Sequence, residues 1–223
     1  MLKFLRSLPV RVGILTKVFS SLMSRGFALG KLSEYEKFIL FGGDEIIWAQ
    51  KPTGAVLVLG GYTGQSSVRY AETSSQVVSL EPVEVFRAQM LARAVGVDNL
   101  ICLDFAASNE NGVLALNLGG DGTSAIRRVG TNSIEVDARD IAEIVDEYGP
   151  FELLECNIEG GEYSVIPRLC ETKAVNNVEK LLIQFHDVGP ESADYRLRAH
   201  KQLSRTHLRV WKYDWVWELW VKM

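Results

Sequence analysis

Glycines and polar residues recur where short apolar runs of the sequence end, and these are the residues that could do chemistry. The runs are Ala55–Leu59, Gln76–Leu80, Leu100–Leu103, Phe151–Cys156 and Lys180–Phe185. Such runs are typical of strands buried on both faces of a parallel sheet. The residues that follow them are Gly60, Gly61, Tyr62, Thr63, Gly64, Glu81, Asp104, Asn157, Ile158, Glu159, His186 and Asp187. Because ligands bind at the carboxyl ends of the strands of an open parallel sheet, the sequence predicts one ligand site made of these residues.

The first two strand ends carry the features expected of a nucleotide-binding site. Gly60, Gly61 and Gly64 let a ligand approach the backbone closely. Glu81 lies 21 residues after Gly60, where an acid can accept hydrogen bonds from both hydroxyls of a ribose. Asp104, after the third strand, could face the amino group of an adenine.

The glycine spacing discriminates between the nucleotide cofactors. The NAD pattern Gly-x-Gly-x-x-Gly would require glycines where the chain has Tyr62 and Gln65, and the P-loop pattern is absent from the sequence. S-adenosylmethionine contains a ribose and an adenine but no phosphate, so it does not require the dinucleotide spacing. The turn is therefore compatible with S-adenosylmethionine. The candidate cofactor-binding residues are Gly60, Gly61, Tyr62, Gly64, Glu81, Asp104 and Asn157.

The elements that must position these residues alternate between strand and helix. Helical spacing of apolar residues is found at Gln65–Glu72, Val83–Val95, Ala138–Tyr148, Glu162–Cys170 and Ser192–Ser204. Val113–Leu118 and Ser133–Val136 are predicted as strands or hairpin arms, and His207–Lys212 with Trp215–Val221 as an antiparallel hairpin. The order predicts a three-layer α/β fold with a mostly parallel sheet that is closed by the antiparallel C-terminal hairpin.

Composition and charge exclude several classes of protein. Hydrophobic residues are 47% and charged residues 23% of the chain, as in ordinary globular proteins, and no run is long and apolar enough to span a membrane. The three cysteines are far apart, which argues against a disulfide framework and favours a reducing, cytoplasmic location. Residues 34–223 carry an excess of acids, so no nucleic-acid partner is expected.

The N-terminal residues differ from the rest of the chain. Residues 1–33 contain six basic side chains and no acidic one. Three interpretations stay open: short helices that pack on the main domain, which we favour; an amphipathic segment that binds anionic lipid at a membrane surface; and a transit peptide. We expect a basic helical extension over residues 1–45 and one domain over residues 46–223.

Five segments of the sequence resemble the FkbM family of S-adenosylmethionine-dependent methyltransferases. They are VLVLGGYTGQSS, VVSLEP, LDFAAS, LLECNIEGGEYSVI and LLIQFHD, in the family's order, and the resemblance covers about residues 50–223. The Glu-Gly-x-Glu turn at 159–162 is its most distinctive part. The resemblance implies the Rossmann-like class I methyltransferase fold, a cofactor held at the first two strand ends, and methyl transfer to a hydroxyl of a small molecule, sugar or glycolipid.

The chain departs from the family pattern at four positions. Val58 stands where the family usually has Asp, and Tyr62 where it has Asn. Glu155 and Asn157 replace the Lys and Asp of its Lys-x-Asp segment. These departures leave an alternative open, namely a catalytically degenerate methyltransferase-like binding or scaffold protein.

Glu159 and His186 are the candidates for the base that takes the proton of the acceptor hydroxyl. Both follow central strands, and an imidazole of ordinary pKa, about 6.5, suits a base near neutral pH. Asn157, Glu159 and Asp187 offer oxygen ligands, but hard cations prefer more carboxylates, so no metal site is expected. The tryptophan-rich hairpin at the C-terminus suits strand packing, and a homodimer formed through it is a further hypothesis.

Overall fold

The computed structural model describes residues 32–119, 122–124 and 133–223. The basic extension and the membrane contact that we expect for residues 1–31 fall on residues outside this described part. The elements in chain order are α1 (Glu34–Leu40), α2 (Gly43–Trp48), β1 (Ala55–Leu59), α3 (Gln65–Ala71), β2 (Gln76–Leu80), α4 (Glu84–Arg93), β3 (Leu100–Leu103), β4 (Ala106–Ser108), β5 (Gly112–Gly119), β6 (Gly122–Ser124), β7 (Ser133–Asp140), α5 (Ile141–Tyr148), β8 (Phe151–Cys156), α6 (Glu162–Glu171), β9 (Val178–Ile183), α7 (Ser192–Leu203), β10 (His207–Tyr213) and β11 (Trp217–Lys222). None of the described helices is long and apolar enough to cross a membrane.

The chain separates into two compact units, one that ends at Gln50 and one that runs from Lys51 to Met223. In the first unit, Ser33 caps α1 because its hydroxyl accepts a hydrogen bond from the Glu36 N–H at 3.2 Å, while the Glu36 carboxylate accepts from the Ser33 N–H at 2.8 Å. This reciprocal capping box explains where α1 begins. The division that we expected after residue 45 stays a prediction.

The second unit is built on a seven-stranded sheet of order β10-β11-β9-β8-β1-β2-β3. Strands β3, β2, β1, β8 and β9 are parallel, and β11 is antiparallel to both β9 and β10. The five apolar runs therefore form adjacent parallel strands, and the C-terminal hairpin closes the sheet. The predicted fold class is confirmed in each of these respects.

Side chains of the central strands alternate between two helical layers. Leu57 and Leu59 of β1 belong to a core that includes buried residues of α5, α6 and α7, such as Ile144 and Val165. On neighbouring β2, Ser79 points the other way, and its hydroxyl contacts Met90 of α4. Because successive side chains of a strand point to opposite faces, this alternation places helices on both sides of the sheet. The result is the predicted three-layer arrangement.

A smaller sheet of order β4-β7-β5-β6 interrupts the alternation of strands and helices. The pairing of β5 with β7 is antiparallel, which confirms the expected hairpin arms. The expectation of a helix from Ala138 was wrong in its first turn, because Ala138 to Asp140 continue β7 and pair with β4. The helix begins only after Asp140, whose carboxylate accepts a hydrogen bond from the Ala142 N–H at 2.9 Å and thereby caps α5.

An ion network fixes α7 on the C-terminal hairpin. Glu218 of β11 is buried and pairs with Arg196 of α7, with His200 Nε2 at 3.0 Å and with the Trp220 indole N–H at 3.0 Å. Asp214 makes a second contact with the Arg196 guanidinium at 2.6 Å. Opposite charges and hydrogen bonds together compensate for burying this carboxylate.

Candidate functional site

A cleft of about 280 Å³ lies at the carboxyl ends of the central strands. Six residues predicted for the site line it, namely Gly60, Tyr62, Glu81, Asn157, Ile158 and Glu159. The remaining lining is mostly apolar and consists of Leu59, Leu80, Pro82, Val83, Phe86, Ala106, Ala107, Leu114, Leu116 and Gly161. The sheet thus brings together residues as far apart in the sequence as Gly60 and Glu159.

The turn after β1 approaches the turn after β8 so closely that only glycine fits at position 60. Gly60 has a φ of 84°, and a Cβ there would lie 2.1 Å from the Asn157 carbonyl oxygen. The N–H groups of Gly60 and Gly61 both donate to the Leu80 carbonyl, at 3.2 and 2.8 Å. The turn is therefore fixed to the end of β2 and backs directly onto the β8 turn.

Gly61 and Gly64, the other two predicted glycines, lie against β2 and α4. A Cβ at Gly61 would lie 2.3 Å from the Ser79 hydroxyl, and one at Gly64 would lie 2.9 Å from Met90 of α4. Neither glycine lines the cleft. Their role in the structure is to let the turn pack against β2 and α4.

Glu81 is a buried acid in the wall of the cleft. Only 5% of its surface is exposed, and its two carboxylate oxygens accept hydrogen bonds from the N–H groups of Tyr62 at 2.8 Å and Val83 at 2.9 Å. Burial raises the pKa of Glu81, although these two N–H groups and the nearby Arg87 counteract the shift. Each oxygen retains a second lone pair, so the carboxylate can accept further hydrogen bonds from a ligand in the cleft.

Tyr62 and Phe86 form an aromatic edge of the cleft. Their ring centroids are 4.5 Å apart at an interplanar angle of 51°. Tyr62 is more than half exposed and has a φ of 47°, which is unusual for a residue with a side chain. The hydrogen bond from its N–H to Glu81 helps to hold this conformation.

The structure does not bring Asp104 into the cleft. Asp104 is exposed, and Ala106 and Ala107 of the short strand β4 line the cleft at this point. The three residues of β4 carry no strand signal in the sequence, which is why the expectation overlooked them. An adenine in the cleft would meet these alanines rather than the Asp104 carboxylate.

Glu159, Glu162 and His186 form a cluster beside the cleft. The fully buried Glu162 carboxylate accepts hydrogen bonds from the N–H groups of Gly160 at 2.8 Å and His186 at 2.7 Å. The imidazole of His186 lies between two acids, with Nδ1 3.1 Å from Glu162 Oε1 and Nε2 3.3 Å from Glu159 Oε1. Glu159 alone of the three lines the cleft.

The surroundings of His186 change its expected chemistry. Burial lowers the pKa of the imidazole, but the two carboxylates outweigh this effect and raise the pKa to about 9. His186 is therefore an imidazolium at neutral pH and has no lone pair with which to accept a proton. The raised pKa disfavours His186 as a base at neutral pH, and the choice of Glu159 or His186 as the base stays a prediction.

Asn157 and Glu155, two positions at which the chain departs from the FkbM pattern, lie in different surroundings. Asn157 lines the cleft, and its side-chain oxygen is buried without a hydrogen-bond partner among the described residues. Glu155 of β8 is buried, and the Tyr70 hydroxyl of α3 donates a hydrogen bond to its carboxylate at 2.6 Å. Burial raises the pKa of the Glu155 carboxyl. Glu155 therefore belongs to the packing of β8 on α3 and not to the cleft.

The described part of the chain contains no group of three or more His, Cys, Asp or Glu side chains arranged to hold a metal ion. Asp187, which was considered as a ligand, does not line the cleft.

No protein-family model matches the sequence, and no curated protein matches it. Solved structures do match. A candidate rRNA methylase from Clostridium thermocellum has a TM-score of 0.54 at 10% identity, over 82% of this chain and 95% of that chain. A candidate methyltransferase from Streptococcus mutans, SMU.1697c in complex with SAH, has a TM-score of 0.50 at 9% identity, over 81% of this chain and 97% of that chain.

The fold is that of the class I methyltransferases. The FkbM methyltransferase from Methylobacillus flagellatus KT is also similar, with a TM-score of 0.49 at 17% identity. The match covers 76% of this chain but only 43% of that methyltransferase. The two matches with TM-scores of 0.54 and 0.50 identify the fold. The cleft described above lies where open parallel sheets bind ligands, outside the carboxyl ends of the strands.

Proposed function

We propose that this protein is an S-adenosylmethionine-dependent methyltransferase, similar to the FkbM enzymes, that binds its cofactor in the cleft beside Glu81. The observation that carries the proposal is the buried Glu81 carboxylate at the end of β2, fixed by two backbone N–H groups and facing the cleft. A buried carboxylate with unused lone pairs suits a ligand that brings two neighbouring hydroxyls, as a ribose does.

The remaining lining fits the same cofactor. The Asn157 side-chain oxygen is buried with no partner in the described part of the chain, and it can accept a hydrogen bond from an amino group. Apolar residues such as Phe86, Ala106 and Leu116 suit the flat faces of an adenine. The described lining contains no basic side chain of the kind that a dinucleotide's phosphates would favour.

S-adenosylmethionine, held beside Glu81 and Asn157, would supply a sulfonium methyl group for transfer to an acceptor oxygen, with the carbon–sulfur electron pair left on sulfur. The protein's own contribution is to orient the two molecules, exclude water and remove a proton. Glu159 has a carboxylate in the cleft wall that can take the proton of an acceptor hydroxyl. We propose a hydroxyl of a small molecule, sugar or glycolipid as the acceptor.

Calorimetric titration with S-adenosylmethionine and with S-adenosylhomocysteine tests the cofactor site. Glu81→Gln preserves the size of the side chain but removes its charge, and a hydrogen bond to a charged group contributes about 1.5–3 kcal/mol. We expect roughly 10- to 150-fold weaker binding in this variant. Glu84→Gln is the matched control, because Glu84 is exposed at the start of α4 and does not line the cleft. Equal affinity in both variants would refute the proposed site.

A catalytically degenerate binding protein is the second candidate function. Asn157 favours it, because an amide replaces the carboxylate that the FkbM family has at the reaction centre. Transfer of a labelled methyl group to a panel of acceptors separates the two candidates, and the panel includes rRNA because one structural neighbour is a candidate rRNA methylase. Transfer that is lost in Glu159→Ala supports the enzyme. Transfer seen only in Asn157→Asp supports the degenerate protein.

A further inference from the structure

We propose that Glu162 and His186 are positioning residues that hold the Glu159 carboxylate in the wall of the cleft. The inference rests on the proposed function, since Glu159 is the candidate base of that site. Neither Glu162 nor His186 lines the cleft, so both would act through Glu159 and not on a ligand directly.

Glu162 joins two turns of the chain, one that contains Gly160 and one that contains His186. From the first turn of α6 its carboxylate accepts the Gly160 N–H, within the turn after β8, and the His186 N–H, just beyond the end of β9. A fully buried carboxylate that receives several hydrogen bonds is held rigidly, because every alternative orientation leaves a buried group without its partner. Glu162 therefore fixes the backbone that carries Glu159 relative to the backbone that carries His186.

The His186 ring extends this connection to the Glu159 side chain. Glu162 lies at hydrogen-bond distance from Nδ1, whereas Glu159 lies within ion-pair distance of Nε2, which makes no hydrogen bond with the described residues. A carboxylate on each side of the ring favours its cationic form, in which both nitrogens carry hydrogen. The positive ring and the negative Glu159 attract one another, so the Glu159 carboxylate is drawn to one side of the cleft instead of rotating freely.

The backbone of Glu159 shows that tertiary contacts hold this turn. Glu159 has a φ of 51°, a left-handed conformation that non-glycine residues rarely adopt. Such conformations persist where the surrounding structure determines them. The contacts of Glu162 and His186 with both sides of the turn provide that determination here.

The positioned carboxylate has a defined task in the reaction. The oxygen–hydrogen bond of the acceptor hydroxyl breaks, the oxygen keeps the electron pair, and the proton forms a new bond to a Glu159 oxygen. The His186 imidazolium faces one oxygen of the Glu159 carboxylate, so the other oxygen is the site that accepts the proton. The charge of His186 is balanced in turn by Glu162 on its far side.

Three further ionisable residues, Tyr163, Asp187 and Cys156, lie close to His186 or Glu162 in the structure or in the sequence. Tyr163 donates its hydroxyl to the His186 carbonyl at 2.6 Å, and burial raises the pKa of this tyrosine. Asp187 adjoins His186 in the sequence, and Cys156 lies close enough to Glu162 for its thiol pKa to be raised by burial and by that charge. Among the described residues, only Glu159 and Glu162 form ion pairs with the His186 ring.

Proton NMR titration of the histidine ring signals tests the proposal in the full chain. The sequence contains three histidines, so His186→Gln identifies the His186 signal by its loss. We expect the wild-type ring to titrate near 9. Glu159→Gln should lower the midpoint by about one unit, since an opposite charge within a few ångström shifts a pKa by about 1–3 units when buried and by less at a partly exposed site. Glu162→Gln should lower it further, and Glu84→Gln should leave it unchanged.

Two results would overturn the proposal: a wild-type midpoint near the ordinary value of about 6.5, or a midpoint that Glu159→Gln leaves unmoved. Glu159 is partly exposed, so this variant is decisive even where the buried Glu162→Gln does not fold. The calorimetric titration distinguishes failure of the proposed function from failure of this inference. Absent cofactor binding would refute the function alone, whereas the NMR midpoints report on the Glu159–His186 contact whether or not the cofactor binds.

Discussion

Replacing Gly60 by alanine tests how closely the turns after β1 and β8 approach one another. Gly60 and Gly96 both have left-handed backbones, with φ of 84° and 80°. A Cβ at Gly60 would lie 2.1 Å from the Asn157 carbonyl oxygen, whereas a Cβ at Gly96 would meet no atom within 4 Å. Gly96→Ala therefore measures the conformational strain alone, and Gly60→Ala measures the same strain together with the collision.

The two effects differ enough to be measured. A left-handed alanine costs about 1–2 kcal/mol, partly offset by about 0.4–1 kcal/mol from the lower entropy of the unfolded chain, so we expect about 1 kcal/mol for Gly96→Ala. Overpacking against a backbone oxygen typically adds about 1–3 kcal/mol, which gives about 2–4 kcal/mol for Gly60→Ala. Urea unfolding gives both free energies, and titration with S-adenosylhomocysteine should show weaker binding for Gly60→Ala alone. Equal destabilisation of the two variants would refute the close approach.

Three further predictions concern buried polar groups, each measured as the free energy of unfolding. The raised pKa of His186 stabilises the fold below pH 6.5, and this stability is lost as the pH rises to about 9. The free energy of unfolding should fall by at most about 1.4 kcal/mol per pH unit over this range. The same pH dependence in His186→Gln would contradict the assignment to His186. Tyr70→Phe removes one hydrogen-bond partner of the buried Glu155 and should cost about 1–3 kcal/mol, against almost no loss if that carboxyl were hydrated. Glu218→Ala leaves the Arg196 guanidinium without its buried partner and should cost about 3–5 kcal/mol; a loss below 1 kcal/mol would show that the network is not buried as described.

The central sheet could be predicted because its strands are buried on both faces. Such strands are mostly apolar, and Ala55–Leu59 is apolar throughout, so it stands out from its surroundings. Phe151–Cys156 contains Glu152 and Glu155 but keeps a mostly apolar pattern, and both strands are predicted with the observed bounds. Strand β4 could not be predicted in this way. Its three residues pair only at the edge of the small sheet, and nothing in their composition requires a strand.

The position of the candidate site followed from the same rule, but its internal contacts did not. The end of a parallel strand is visible in the sequence, and Gly60, Glu81 and Glu159 were assigned to one cleft on that basis. The raised pKa of His186 depends on two carboxylates that reach it from other segments, which spacing alone does not reveal. Glu162 begins a segment of helical spacing in the sequence, and only the folded chain shows its contact with His186.

The cofactor proposal is tested most directly by a crystal structure of the protein with S-adenosylhomocysteine. We predict that the ligand lies in the cleft at the ends of β1 and β2, and that both ribose hydroxyls donate hydrogen bonds to the Glu81 carboxylate. The adenine should pack beside Ala106 and Phe86, with Asp104 out of contact. A ligand bound elsewhere on the protein, or one in the cleft whose ribose does not reach Glu81, would contradict the account.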